Sequence, residues 1–463
     1  MIFPIIFGLL VIIFLLIKIP VTSVSLSDTN VYISMAEHLM QGKLLYKDMF
    51  LTNLPFFPYL SVVYLSITQN LTWFYGTVLI EAVATAIIIY FTVKTPKRPA
   101  SIPVMAAAAY LFSMIVLATT DHQTGIFFAS LTASLAYFWY TRKKFVLAGI
   151  ALGLMFVTKG YMLPILGAFF IYDIYIRRKE SWTLIIPALS VIFVVLLPTL
   201  LFARNEMIDN IFGYTLNRPV GLDKRNIFTF FVVNQWLFCG AIIYAWIRFQ
   251  KNVLIALCLL FGVIFLLLYQ DIYFFYLNLL VPFACIALAD GVVFLNKKIG
   301  RLNGLLVATL FISFSMLLNY KTYAENLAPL QKIKQYEKIV TTVTAAKPEY
   351  LFGAVEIVPA LSYSTKVPLL NGIIDTNESI FARKVYDITQ IKKDIYAHKT
   401  LVVTMGVDRD LMLETGEKTH VVLPVIPELF KQLEIEKKCT KLLSQPVVAE
   451  GLTNRINLWK CYK

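Results

Sequence analysis

Two acidic residues and one lysine lie where long apolar runs of this 463-residue chain end. Asp28 follows the first run, Asp121 lies in the turn "TTDHQTG", and Lys159 lies in the short link "TKGY". A carboxylate can take the proton of a hydroxyl group as a general base, and a lysine can bind a phosphate as a point charge. These three residues are therefore candidates for proton transfer and anion binding.

Each of the three residues also has a purely structural interpretation. Asp28 can cap the helix that follows it, Asp121 suits a turn, and Lys159 can extend its amine to the membrane surface. A capping carboxylate also lies where the helix dipole favours its ionised form, which suits a base. A lysine between two apolar runs is costly unless it is paired or functional.

Weaker candidates for substrate binding lie in the same links between apolar runs. They include a histidine suited to a metal or a proton relay, two arginines able to close over a phosphate, and two tyrosines able to line a lipid groove. Each also has a structural interpretation: the histidine as a polar residue of a turn, the arginines as part of a solvated loop, and the tyrosines as members of the aromatic belt of membrane proteins. The set comprises Asp48, His122, Arg218, Arg225, Tyr273 and Tyr276.

The elements that must position these residues are membrane helices. The chain is 58% hydrophobic and 15% charged, whereas soluble domains average roughly 45–50% apolar and about 25% charged residues. The pattern predicts a mainly α, polytopic transmembrane helix bundle. About eleven runs approach the length that a bilayer requires, at 2–20, 71–93, 102–119, 124–140, 145–158, 161–176, 182–202, 228–247, 253–269, 273–295 and 303–319.

The net charge of +14 is distributed as in a membrane protein. Most of it lies in short basic loops, which the positive-inside rule places in the cytoplasm. This predicts a multi-pass protein of the cell membrane with a cytoplasmic N-terminus, and no nucleic-acid partner. Counting 55–68 as a span would break the alternation, so that segment is predicted to be re-entrant or interfacial. The basic loops are 94–98, 142–144, 177–180, 248–251 and 297–301.

The composition divides the chain into two parts. Residues 1–319 are predicted to form the transmembrane domain, with an outer loop at 21–70. Residues 320–463 are predicted to form a small soluble α/β domain on the outer face, because helical and strand patterns follow one another there and residues 446–463 resemble a closing hairpin. Cys439 and Cys461 of this domain can pair if the compartment is oxidising, and two unrelated free thiols are the alternative.

The outer loop contains an amphipathic helix in its first half. Apolar residues such as Val31, Tyr32 and Met35 recur at helical spacing, while Asn30 and Glu37 belong to the opposite face. A helix of this kind between two membrane segments is expected to lie in the plane of the interface. This placement would hold Asp28 at the membrane surface.

The same loop resembles that of a known family. The stretches "SDTNVY", "AEHLMQG", "LYKD" and "NLPFFPY" are similar to the first outer loop of GT-C membrane glycosyltransferases. The nearest branch is that of protein O-mannosyltransferases and the aminoarabinose transferases of lipid A. Residues 147–166 and 269–291 resemble later segments of that branch, so the resemblance extends over residues 1–320. It implies a GT-C-like bundle.

The resemblance implies an enzyme that moves a sugar from a polyprenyl-phosphate donor to an acceptor hydroxyl on the outer side of the membrane. The acceptor would be a glycan, a lipid or a protein, and the transfer would invert the anomeric centre. Asp28 matches the acid of the family's first loop, which implies the role of general base. Relatives often have a lysine before the paired prolines, whereas this chain has Asn53 before "LPFFP", so a phosphate-binding lysine is not implied there.

No cofactor is expected. The outer loops contain no Asp-x-Asp motif, although Asp28 and Asp121 together could hold a divalent metal through oxygen ligands. A transporter or lipid flippase is the rival function; the sequence shows no inverted repeat, and its polar residues lie at the outer boundary instead of near the mid-bilayer. A non-catalytic assembly protein is the third class.

Overall fold

A computed structural model of the protein describes residues 2–119, 123–213, 224–269, 272–325, 329–376, 385–407, 439–449 and 452–462. Helices dominate the described part of the chain. Those of the first half are α1 (Ile2–Thr22), α2 (Thr29–Met40), α3 (Phe56–Thr68), α4 (Leu71–Val93), α5 (Ser101–Leu111), α6 (Met114–Thr119), α7 (Ile126–Thr141), α8 (Phe145–Thr158), α9 (Leu163–Arg177), α10 (Trp182–Phe202) and α11 (Arg204–Ile208).

The second half continues the bundle and adds a sheet. Its helices are α12 (Lys224–Asn234), α13 (Trp236–Ile247), α14 (Val253–Leu268), α15 (Val281–Lys298), α16 (Arg301–Glu325), α17 (Pro329–Ala346), α18 (Val358–Thr365) and α19 (Ile388–Ala397). The strands are β1 (Tyr350–Gly353), β2 (Thr400–Val407), β3 (Thr440–Ala449) and β4 (Leu452–Lys460). The predicted class, a mainly helical bundle of apolar helices with a small C-terminal α/β region, is confirmed.

The described helices differ in their ability to cross a bilayer alone. Four helical segments are long and apolar enough, at Ile2–Thr22, Leu71–Val93, Gly160–Phe202 and Arg301–Lys321, and a fifth counts if α12 and α13 form one bent span. Shorter apolar helices, among them α7, α8 and α14, fill the rest of the bundle. The predicted number of eleven spans is therefore not confirmed.

Two runs that were predicted as single spans are interrupted. The run 102–119 breaks between α5 and α6, where the Ser113 hydroxyl donates to the carbonyl of Tyr110 and accepts from the amide of Val116. The run 228–247 bends by 92° between α12 and α13. At that bend the side chain of Gln235 donates to the carbonyl of Asn234 at 2.6 Å. In both cases a polar side chain replaces helical hydrogen bonds, which hydropathy does not reveal.

Glycines in α8 fix the direction of its neighbours. A side chain at Gly149 would meet the backbone of Leu184, and one at Gly153 would meet that of Ala188. Because both numbers rise together, α8 and α10 run parallel in close contact. The intervening α9 must therefore run in the opposite direction. This agrees with the prediction of separate spans at 161–176 and 182–202, which the turn at Arg178–Ser181 divides.

The four strands form one sheet in the order β1-β2-β4-β3. β1 and β2 are parallel, while β4 is antiparallel to both of its neighbours, β2 and β3. The predicted closing hairpin is confirmed as β3 and β4. Cys439 and Cys461, beside these strands, form a disulfide with Cα atoms 4.1 Å apart. The predicted pairing is confirmed, and the alternative of two free thiols is wrong.

Protein covers α2 on more than one face. Residues from Thr29 to Ala36 are buried on all sides, because α3 covers one face and α18 of the C-terminal region covers another. The Asn30 side chain donates to the carbonyl of Glu356 and accepts from the hydroxyl of Tyr75. The polar face thus meets protein instead of water. The sequence could not show the contact with Glu356, since this residue lies more than 300 positions away from Asn30.

Candidate functional site

The candidate site lies where α2 begins. Asp28 is the N-cap residue of α2, yet its side chain makes no capping hydrogen bond. The hydroxyl of Ser27, one residue earlier, accepts from the amide of Thr29 at 3.4 Å. Asp28 itself is exposed, whereas its neighbours Ser27 and Thr29 are buried. The structural interpretation of Asp28 as a side-chain cap therefore lacks its hydrogen bond.

Lys159 approaches the start of α2 from the end of α8. It ends α8 in an extended conformation, directly before the short helix Gly160–Met162, so it lies in the link between two membrane segments. Its side chain is 5% exposed, and its ammonium group donates to the hydroxyl of Tyr32 at 3.4 Å. Extension of Lys159 to the membrane surface is therefore wrong.

Tyr32 connects Lys159 to the outer loop. It lies one turn after Asp28 on α2, and its hydroxyl also accepts from the side-chain amide of Asn53 at 3.3 Å. Asn53 is held in turn, because its carbonyl accepts from the hydroxyl of Tyr46 at 2.6 Å. Lys159 thus places a cation beside Asn53, the position before the prolines at which relatives of the resembled family often have a lysine.

The charges of this cluster act on one another. Burial lowers the pKa of Lys159 to about 7, and the carboxylate of Asp28 opposes that decrease. Burial also raises the pKa of the Tyr32 phenol, and the charges of Asp28 and Asp375 raise it further. Near neutral pH, Lys159 is therefore poised between its charged and neutral forms, and an additional anion would favour the charged form.

The C-terminal region contributes a second acidic residue, Asp375, to the candidate site. It lies between the buried residues Ile374 and Thr376, and the hydroxyl of Thr376 donates to the carbonyl of Gly353 at the end of β1. This fixes the backbone that carries Asp375, whose charge reaches Tyr32. A second carboxylate thus faces the cluster of Asp28, Tyr32 and Lys159.

Aromatic side chains continue the site toward the bundle. The ring centroids of Tyr161 and Tyr276 are 4.4 Å apart, and that of Tyr273 is 6.1 Å from that of Tyr276. Tyr161 is two residues from Lys159, so the structure brings the predicted pair Tyr273 and Tyr276 close to the lysine. Packed tyrosines beside a buried amine form an apolar wall with polar edges, which suits a lipid phosphate.

Other predicted residues lie apart from the cluster or outside the described residues. Asp48 is exposed and accepts from the amide of Leu44 at 2.7 Å, which closes a turn. Arg225 is exposed in the first turn of α12. Three predicted residues, Asp121, His122 and Arg218, lie outside the described residues. Among the residues that the structure describes, no group of three His, Cys, Asp or Glu side chains could hold a metal ion.

Four residues in or beside the cluster of Asp28, Tyr32 and Lys159 were not predicted as site residues from the sequence: Tyr32, Asn53, Tyr161 and Asp375. Tyr32 was assigned only to the apolar face of α2. Its spacing of one turn from Asp28 was the available signal, because residues four apart on a helix share a face. Asp375 carried no comparable signal, since only the packing of the C-terminal region on α2 brings it near.

Comparisons with known proteins show what this fold resembles. No family model matches the chain, and no curated protein matches it. Solved structures do. ArnT from Cupriavidus metallidurans in the apo state matches with a TM-score of 0.61 and 11% identity, covering 98% of this chain and 97% of that one.

Two further structures match. ArnT bound to undecaprenyl phosphate gives a TM-score of 0.61, 12% identity and the same coverage. An oligosaccharyltransferase from Archaeoglobus fulgidus gives 0.47 and 12% identity, covering 78% of this chain and 64% of that one. At these identities the likeness concerns the fold. The chain has an ArnT-like fold over nearly its whole length, which confirms the GT-C-like bundle that the outer loop predicted.

Proposed function

We propose that this chain is an integral membrane glycosyltransferase that moves a sugar from a polyprenyl-phosphate donor to an acceptor hydroxyl. The observation that carries the proposal is the cluster of Asp28, Tyr32 and Lys159 at one end of an ArnT-like bundle. The cluster pairs an exposed carboxylate with a buried cation. A carboxylate and an anion-binding group are the two elements that sugar transfer from a lipid phosphate requires.

Asp28 acts as the general base in this proposal. It takes the proton from the acceptor hydroxyl while the acceptor oxygen bonds to the anomeric carbon of the sugar. The bond between that carbon and the phosphate oxygen breaks in the same step, so the configuration inverts. A phosphate leaves readily, and one carboxylate therefore suffices where glycosidases use a pair. Asp121 remains the second candidate acid.

Lys159 binds the phosphate that the reaction releases. Its ammonium group is buried beside Tyr32, where a charge interacts strongly because water is largely excluded. The tyrosines at 161, 273 and 276 continue from the lysine toward the bundle and would contact the polyprenyl chain. In ArnT the comparable fold binds undecaprenyl phosphate, which supports a lipid of this class here. The proposal assigns no metal or other cofactor.

Binding of undecaprenyl phosphate tests the proposal. Purified protein in detergent should bind this lipid with micromolar or better affinity, which corresponds to about 8 kcal/mol of binding free energy. Undecaprenol, which has the same chain without the phosphate, should bind at least roughly tenfold more weakly, because it forms no charge-assisted hydrogen bond. Thermal stabilisation across a titration measures both. Equal affinity for the two lipids would contradict phosphate recognition and with it the proposed donor class.

The proposal also places the site on the outer side of the membrane. The C-terminal region packs on α2, so the two share one side, and the disulfide of Cys439 and Cys461 suits an oxidising compartment. The basic loops would face the cytoplasm.

Reporter fusions test this topology. We expect reporters fused after residue 98, 144, 179 or 300 to remain cytoplasmic, and one fused after residue 325 to be exported. The reason is that the positive loops resist translocation across the membrane. An alkaline phosphatase and a fluorescent reporter at each position would measure both outcomes. A cytoplasmic reporter at 325 would move the site to the other side of the membrane.

A further inference from the structure

A second polar cleft lies at the opposite end of the bundle from Lys159. Gly125, at the start of α7, packs against Thr158 next to Lys159, whereas Tyr137, late in α7, hydrogen-bonds Asn252. Twelve helical residues separate these two ends by about 18 Å. The cleft beside Asn252 has a volume of about 260 Å³ including its open mouth. It is separate from the proposed transfer site.

Cations outnumber acids in this cleft. Its lining includes Arg248 and Lys251 in the link between α13 and α14, together with Asp290 of α15. Arg98 donates to Asp290 at 2.6 Å, and both side chains are 24% exposed. This ion pair neutralises the one acid of the lining. The charges of Arg248 and Lys251 therefore remain available to an anion.

Arg248 is held in place but keeps a donor for a ligand. Its guanidinium group lies 4.8 Å from the ring centroid of Phe294, which is also approached by the amine of Lys298 at 5.9 Å. The Nε atom of Arg248 is buried and has no hydrogen-bond partner among the described residues. A buried guanidinium donor without an acceptor is unfavourable, and a phosphate oxygen in the cleft would satisfy it.

A helix N-terminus adds to the positive potential. Asn252 lines the cleft and caps α14, where its side chain accepts from the amide of Ile255. The backbone amides of this first turn carry a partial positive charge. Helix N-termini of this kind bind phosphate groups in many proteins.

The surface beside the cleft is apolar and exposed. On α13, Ile243 is 53% exposed and Ile247 is 75% exposed, immediately before Arg248. In a membrane these side chains contact acyl chains. A ligand that occupies the cleft from this side would therefore carry a phosphate and a hydrocarbon tail.

We propose that this cleft binds the phosphate headgroup of an anionic membrane lipid through Arg248, Lys251 and the first turn of α14. The site is independent of the proposed sugar transfer. Basic pockets between membrane helices on the cytoplasmic side bind lipid headgroups in this way. A lipid headgroup bound in this cleft would contact α13, α14 and α15 together.

Thermal stabilisation of the full-length protein in detergent tests the proposal. Titrations with phosphatidylglycerol, phosphatidylcholine and inorganic phosphate distinguish an anionic lipid from a zwitterionic one and from a free anion. We expect phosphatidylglycerol to bind at least roughly tenfold more tightly than either of the others, because it combines a net charge with acyl chains. Equal binding of inorganic phosphate would overturn the lipid as the source of the phosphate.

Charge variants locate the binding. Replacing Arg248 and Lys251 together by glutamine should weaken phosphatidylglycerol binding roughly tenfold or more. The matched control Lys144→Gln with Lys179→Gln removes the same charge from exposed positions at the same end of the bundle and should leave the affinity unchanged. If the double variant fails to fold, Lys251→Gln alone, at an exposed position, should still weaken binding measurably. Wild-type affinity in the folded double variant, or in Lys251→Gln where the double variant does not fold, would overturn the site.

Discussion

Replacing Asp28 by asparagine is expected to lower the rate of sugar transfer by roughly 10²–10⁴, the usual contribution of a general base. Asparagine has nearly the same shape as aspartate but cannot accept the proton of the acceptor hydroxyl. The melting temperature should change little, because asparagine keeps the polarity of the side chain and suits the N-cap position as well as aspartate does. Release of polyprenyl phosphate from the donor measures the transfer, and thermal unfolding in the same detergent measures the stability.

Two further variants separate catalysis from structure at this position. A capping role predicts near-normal transfer for Asp28→Asn and a loss of about 1 kcal/mol in the free energy of unfolding for Asp28→Ala. The control Glu206→Gln removes an exposed carboxylate from α11 and should transfer sugar at the wild-type rate. A fully active Asp28→Asn enzyme would exclude Asp28 as the base and leave Asp121 as the next candidate.

The second large effect is expected at Lys159. Lys159→Gln retains a hydrogen-bond donor for the hydroxyl of Tyr32 but removes the charge that would face the phosphate. Charge-assisted hydrogen bonds contribute about 1.5–3 kcal/mol, so the affinity for undecaprenyl phosphate should fall roughly 10- to 150-fold. The control Lys366→Gln removes a surface lysine that lies 3.6 Å from Glu37; exposed pairs of this kind contribute little. Unchanged affinity in Lys159→Gln would assign the phosphate to another cation.

The pH dependence of binding is a more specific readout of Lys159. The pKa of the lysine in the empty site is about 7, and a bound phosphate stabilises the protonated form and raises that pKa. Affinity should therefore be highest near pH 7 and decline by up to about tenfold per pH unit above it. The phosphate, with a second pKa of about 6, keeps its charge across this range. Lys159→Gln should lack the decline.

Some parts of the site were predictable because local sequence determines them. Asp28 directly follows the first membrane helix, and Lys159 interrupts two apolar runs, so hydropathy alone makes both conspicuous. The helical bundle and the closing hairpin follow from periodicity in the same way. These features require only neighbours within a few residues along the chain.

Other parts depend on contacts between distant segments. Asn30 meets the carbonyl of Glu356, and the charge of Asp375 reaches Tyr32, but neither contact leaves a trace in local composition. The amphipathic pattern of α2 could not show that its polar face contacts protein, since a polar face bound to protein has the same pattern as one bound to water. The helix breaks at Ser113 and Gln235 depend on single polar side chains, and a hydropathy average over a long window does not detect them.

The strand order has a consequence for biosynthesis. β4 lies inside the sheet between β2 and β3, although it comes last of the four along the chain. A ribosome must therefore translate beyond residue 460 before the sheet can close, and only then can Cys461 find Cys439. Because α18 and the segment at Glu356 pack on α2, a nascent chain would insert its membrane helices long before Asp375 could approach Tyr32. Chains that end before residue 375 would therefore enter the bilayer without the second carboxylate that acts on Tyr32.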